Sequence, residues 1–119
     1  NPVVAELRKI MWRDVGLVRS ATGLRRAQLD LERLASAEGP GSGELANMIT
    51  VARLVATAAV LRTESRGAHF RRDFPRPCRH WNQDLFFEGL RPLGPRPSLD
   101  DDETRRESPP EAEFDSWEE

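Results

Sequence analysis

His69, Cys78 and His80 are the soft metal ligands of this sequence. A structural zinc site needs four such ligands, usually in closely spaced pairs. Cys78 and His80 lie two apart with no second pair, which points to packing or surface roles and to no metal. Ser65, His69 and Asp73 carry the groups of a nucleophile, base and acid at four-residue spacing. A working triad also needs an exposed elbow and an oxyanion hole. Gly67 interrupts the spacing and no glycine pair flanks Ser65, which reads as the end of a helix. The stretch Gly39-Pro40-Gly41-Ser42-Gly43 is glycine-rich, but it follows a helical pattern and lacks the G-x-G-x-x-G spacing. It reads as a linker, so the chain has no phosphate cradle with which to hold a dinucleotide. The run Phe70-Arg71-Arg72-Asp73-Phe74-Pro75-Arg76 interleaves basic and aromatic residues. That pattern suits single-stranded nucleic acid, or an extended strap whose phenylalanines pack on a partner domain. The strap is the favoured reading.

The elements that must position these residues are helical. Val3 to Ser20 carries apolar residues at Val4, Leu7, Met11 and Val18, widened by Val3, Ile10 and Leu17, and Pro2 suits a helix start. Asp14 falls inside that stripe, and a buried carboxylate is costly unless paired. It therefore needs an arginine from another element or a place at the edge. Trp12 and Gly16 share a face; a close helix approach is one reason for the glycine, with Trp12 as ordinary core the other reading. Gly23 to Ala37 is a second helix, with Thr22 as N-cap and Leu24, Ala27, Leu31 and Leu34 as its stripe. Glu44 to Ser65 is a third. Its polar residues Asn47, Thr50, Arg53 and Thr57 form one thin stripe, and the rest of its circumference is apolar. Such a helix must be buried on more than one side, and two narrow neighbours cover only part of it. Something outside this chain is expected to cover the rest.

These patterns predict an all-α fold: an antiparallel three-helix bundle over residues 3–20, 23–37 and 44–65, followed by an extended C-terminal strap. Gly67 is expected as the left-handed stop of the third helix, and Leu85 to Leu90 forms a short apolar patch. Residues 1–90 make the domain. Residues 91–119 are predicted to be a disordered acidic tail, because proline and like charge prevent a packed core. From Ser98 onward there are ten acidic residues and two arginines, against sixteen basic and ten acidic residues before it. The basic residues of the body are spread among Asp and Glu, which fits surface ion pairs and no nucleic-acid partner. A single cysteine excludes an internal disulfide and suggests a cytoplasmic protein. The run Leu45 to Leu61 is short and interrupted by polar residues, so no membrane span is expected.

Two blocks resemble one known family. The first is Met11-Trp12-Arg13-Asp14-Val15-Gly16-Leu17-Val18-Arg19, followed by Gly23-Leu24. The second is Arg62-Thr63-Glu64-Ser65-Arg66-Gly67-Ala68-His69-Phe70-Arg71-Arg72-Asp73-Phe74-Pro75. Bridged by the apolar run Leu45 to Leu61, they are similar to the C-terminal helical domain of bacterial L-aspartate oxidases. The related succinate dehydrogenase and fumarate reductase flavoprotein subunits share the Arg-Gly-Ala-His element. They usually follow it with an Arg-Asp-Asp run, where this chain has Arg76-Pro77-Cys78-Arg79, although Trp81 is present. They are the alternative, with an independent helical interaction module as a third reading.

The resemblance implies a parent enzyme that uses FAD to oxidise L-aspartate to iminoaspartate, which passes to quinolinate synthase in NAD biosynthesis. It implies that the flavin and substrate sites lie upstream, so that no catalytic, cofactor-binding or metal-binding residue is expected here and the chain alone is inactive. The family role is packing against the flavin-binding domain of the parent enzyme. Arg66, Gly67, His69, Phe70 and Phe74 are the expected docking residues: Gly67 turns the chain, Phe70 and Phe74 share a face of an extended segment, and Arg66 offers a planar fork to the partner.

Overall fold

The computed structural model describes residues 1–39 and 43–97. Three helices dominate it: α1 (Pro2–Asp14), α2 (Ala21–Glu38) and α3 (Glu44–Leu61). Helix α2 is the central element and packs against both others. Its alignment with α3 is antiparallel: Gln28 Nε2 donates to Thr57 Oγ1 at 3.3 Å, and Arg53 pairs with Glu32 one helical turn away. The core holds Leu7 and Ile10 from α1, Leu24, Ala27 and Leu31 from α2, and Ile49, Ala52, Ala56 and Ala59 from α3. The alanine row on α3 removes side-chain bulk where α2 crosses it, so the two backbones approach closely.

Helix α1 is shorter than its apolar stripe. It ends at Asp14, so Leu17 is 80% exposed instead of buried. Trp12 is not core either: it is 77% exposed. Gly16 explains part of this. A Cβ there would lie 2.5 Å from the carbonyl oxygen of Trp12, so the close approach that requires glycine is to its own helix end and not to a neighbouring helix. Helix α2 begins at Ala21 with Ser20 as N-cap in place of Thr22; Ser20 Oγ accepts from Gly23 N at 3.2 Å. Asp14 is buried and has the arginine it requires. Arg26 of α2 donates Nη2 to Asp14 Oδ1 at 2.5 Å and Nε to Oδ2 at 3.0 Å, while Arg13 bridges Asp14 and Asp30. Burial alone would raise the Asp14 pKa; the hydrogen bonds from Arg26 and Arg13 outweigh it and hold the carboxyl below its usual range.

Helix α3 ends at Leu61, four residues before the predicted end. Gly67 therefore does not stop it. A 3-10 turn, Arg79–Trp81, and a hairpin of β1 (Phe86–Glu88) and β2 (Arg91–Gly94) follow. Glu88 pairs with Arg91 across the turn, and Phe87 faces Pro92. The hairpin crosses the predicted boundary at residue 90, and residues 91–97 are ordered against β1 and, through Arg96, against His80. Phe87 is half-buried opposite Pro92, while Phe86 and Leu93 are exposed. The prolines and the acidic run that follow hid this pair. The acidic tail from Ser98 lies outside the described residues.

Candidate functional site

The polar side chains singled out by the sequence converge where α1 and α3 end. The last carbonyls of a helix lack partners within it. At the end of α3 an arginine from a later segment supplies them. Arg71, 2% exposed, donates Nη1 to Val60 O at 2.7 Å and to Ala59 O at 3.2 Å at the end of α3. Its other face pairs with Asp73 at 2.8 Å and lies over the Phe74 ring at 4.8 Å. Arg19 donates Nε to Gly16 O at 3.2 Å beyond the end of α1. A cation at a helix C-terminus also opposes the negative end of the helix dipole. The two segments are stitched together: Arg19 N donates to Phe70 O and Arg72 N to Arg19 O, both at 2.9 Å.

The segment after α3 is not extended. It makes two successive tight turns. In the first, Arg66 N donates to His69 O at 2.7 Å and His69 N to Arg66 O at 3.0 Å; in the second, Phe74 N donates to Arg71 O at 3.1 Å. Gly67 adopts φ +58 within the first turn, a conformation side chains disfavour. Phe74 is buried and Phe70 half-buried, whereas Arg66, Gly67 and Ala68 form an exposed crest.

Beneath the crest lies Glu64, fully buried. Its carboxylate accepts from Arg62 Nη1 at 2.7 Å, Arg66 Nε at 3.0 Å, Arg66 Nη2 at 3.1 Å and Cys78 N at 2.9 Å. Burial by itself would raise its pKa; Arg66, the Cys78 amide and Arg62 hold it below the usual carboxylate range. Arg66 also donates to Asn82 Oδ1 at 2.5 Å, and Arg62 donates to Trp81 O and Gln83 O while its guanidinium stacks 5.1 Å from the Trp81 ring. Trp81, 1% exposed, donates Nε1 to Thr63 Oγ1 at 2.9 Å. Sequence reasoning placed neither Glu64 nor Trp81. A lone carboxylate between two arginines, Arg62-x-Glu64-x-Arg66, is a signal that could have found the first.

His69 sits between Arg19 and Arg62. Arginine only donates, so Arg19 Nη1, 3.0 Å away, fixes Nδ1 as the acceptor, and Nε2 donates to Arg62 O at 2.9 Å. The ring is a neutral tautomer. Burial pushes its pKa down; the Arg62 carbonyl opposes this, and the charges of Arg19, Arg71 and Arg62 push the same way as burial. A depressed histidine pKa means that the unfolded chain takes a proton before the folded one does. Stability is therefore expected to fall as pH drops through 6.5, the ordinary histidine value. Urea unfolding from about pH 7 to about pH 5 checks this, and His69→Gln should flatten the dependence over that range. Further loss at lower pH follows from the depressed carboxyls of Asp14 and Glu64.

The triad read from the sequence does not assemble. Ser65 Oγ bonds Phe74 O and Arg71 N, Asp73 bonds Arg71 and Ala21 N, and the His69 ring bonds Arg19 and Arg62 in place of Ser65 or Asp73. Among the described residues, no three His, Cys, Asp or Glu side chains are grouped to hold a metal; Cys78 is buried with a free thiol. Residues 40–42 of the glycine-rich stretch lie outside the described residues, but the stretch joins α2 to α3, and this setting does not suit a dinucleotide phosphate, which sits between a strand and a helix. What the cluster does chemically is fasten the post-helical turns to two helix ends.

Residues 40–103, the part holding α3, the turns and the hairpin, match the family model described as fumarate reductase flavoprotein C-term. The chain belongs to the fumarate reductase flavoprotein C-terminal family. Individual relatives extend the likeness toward α1 and α2. An L-aspartate oxidase of Rhodospirillum rubrum is 39% identical over 97 residues, covering 80% of this chain and 34% of that protein. An uncharacterized FAD-dependent oxidoreductase of Methanocaldococcus jannaschii is 35% identical over 100 residues, covering 73% and 18%. A fumarate reductase (CoM/CoB) polypeptide of Methanothermobacter marburgensis is 35% identical over 94 residues, covering 67% and 17%. L-aspartate oxidase is the name that recurs most often among the relatives. No solved structure matches the chain. This flavoprotein C-terminal domain thus spans between about a sixth and a third of these relatives' lengths. Its arginine-rich cluster lies largely within the matched region.

Proposed function

We propose that this chain is the C-terminal helical domain of an FAD-dependent L-aspartate oxidase, packed against a flavin-binding domain that supplies all the chemistry. The observation that carries the reading is the recurrence of that one enzyme name among relatives 32–48% identical to this domain. In the parent enzyme, L-aspartate would be oxidised to iminoaspartate, the precursor passed to quinolinate synthase in NAD biosynthesis, in the cytoplasm. A succinate dehydrogenase or fumarate reductase flavoprotein is the second reading, favoured by the Methanothermobacter relative. FAD belongs to the rest of the enzyme on either reading. The chain is a domain over at least residues 1–97.

The docking residues divide into two layers on this reading. The crest of Arg66 and Gly67, with half-buried Phe70 beside it, touches the flavin domain, while His69 and Phe74 hold the crest from behind. Ala68 stands exposed at the top of the crest and offers a clean test. Ala68→Glu should leave the melting temperature of the isolated chain unchanged and lower flavin retention in the parent polypeptide. Unchanged flavin retention, with the variant chain folded, would refute crest docking.

A further inference from the structure

The outer face of α2 carries more positive charge than its neighbours neutralise. A cleft of about 510 Å³ there is lined by Thr22, Arg25, Arg26, Leu29, Asp30 and Arg33. Asp14 takes Arg26 and Arg13, while Asp30 takes Arg13 and, at 3.4 Å, Arg33. Arg25 pairs with no carboxylate among the described residues. Arg13, Arg25, Arg26 and Arg33 thus share Asp14 and Asp30, which leaves positive charge in excess. In their midst Leu29 is 61% exposed. Arg25, Leu29 and Arg33 follow one another at four-residue steps, so they form one stripe of the helix.

The sequence holds a segment that matches this stripe. Glu111 to Glu119 contains five acidic residues and no basic one, with Phe114 and Trp117 set among them. The other acidic run, Asp100-Asp101-Asp102-Glu103, has no aromatic residue and is soon followed by Arg105-Arg106. We infer that residues 111–119 dock on this face of α2, with carboxylates on Arg25 and Arg33 and an aromatic ring on Leu29. The stretch from Ser98 to Phe114 reaches about 55 Å when extended, and the longest dimension of the molecule is 43 Å. A segment tethered in this way acts at an effective concentration of about a millimolar, which favours the chain's own tail over that of a second copy. Exposed ion pairs are individually weak, so the aromatic contact with Leu29 is part of the dock and not an ornament to it.

A nitroxide spin label on Ser116→Cys of the full chain tests this; Cys78 is buried and does not compete for the label. In amide NMR spectra at low salt, the signals from Arg25 to Arg33 should be broadened selectively. Salt at about 1 M, which screens charges beyond about 3 Å, should abolish that broadening. Two double variants should each remove most of it while the other amide signals of the bundle keep their positions: Arg25→Glu with Arg33→Glu, and Phe114→Ser with Trp117→Ser. Broadening that survives either double variant overturns the inference. So does broadening spread evenly over the surface, centred on Val51 and Val55 of α3, or seen only between chains when spin-labelled and isotope-labelled copies are mixed.

Discussion

Glu64→Ala is expected to cost the isolated chain about 3–5 kcal/mol, the range for breaking a buried ion pair by removing one partner. Against a typical domain stability of about 5–15 kcal/mol, that leaves a marginal fold. The carboxylate is fully buried and takes hydrogen bonds from Arg62, Arg66 and the Cys78 amide. Removing it leaves the half-buried guanidinium of Arg62 and the Cys78 amide facing a void. Glu64→Gln should be nearly as harmful. Each carboxylate oxygen faces two donors, and an amide nitrogen in either place would set donor against donor. Glu88→Gln is the control: Glu88 pairs with Arg91 at 3.0 Å in the open, and exposed pairs are worth under about 1 kcal/mol. Urea unfolding of the three variants checks the ordering.

Trp81→Ala should destabilise the chain by about 3–5 kcal/mol, the usual cost of emptying a buried aromatic site. Trp81 is buried beside the residues that follow α3, with Arg62 over its ring and Thr63 accepting from its indole nitrogen. Trp81→Phe separates the contributions. It keeps most of the apolar filling but leaves Thr63 without its donor, so its cost should be clearly smaller than that of alanine. Equal losses for the two variants would mean that the hydrogen bond, and not the filling of the site, dominates. Thermal melts followed by far-ultraviolet circular dichroism would record both.

The helices were legible because their apolar residues recur at helical spacing, and that spacing is a property of the chain alone. Their ends were not. Arg71 reaches the last carbonyls of α3 through a contact that only the tertiary fold makes, whereas Arg19 bonds the carbonyl of Gly16 just past the end of α1. Asp14 shows the intermediate case. Its place in an apolar stripe demanded an arginine, but only the packing of α2 identifies Arg26. After α3, Phe70, Phe74 and Pro75 suggest a strand-like segment, yet the chain makes two short turns that bury Phe74 while leaving Phe70 partly open. Trp81 had no periodic neighbours to mark it as core, and its burial depends on a 3-10 turn of three residues. The exposure of Val51 and Val55 was legible in part, since the circumference of α3, apolar apart from one thin polar stripe, already required a cover that two narrow neighbours do not provide.

The L-aspartate oxidase reading stands or falls on substrate and cofactor in the parent polypeptide. Purified full-length protein should carry about one FAD per chain and form iminoaspartate from L-aspartate with oxygen or fumarate as acceptor, while the 119-residue chain alone takes up no FAD. Full-length protein that is colourless, or that oxidises succinate and leaves L-aspartate untouched, would contradict the assignment.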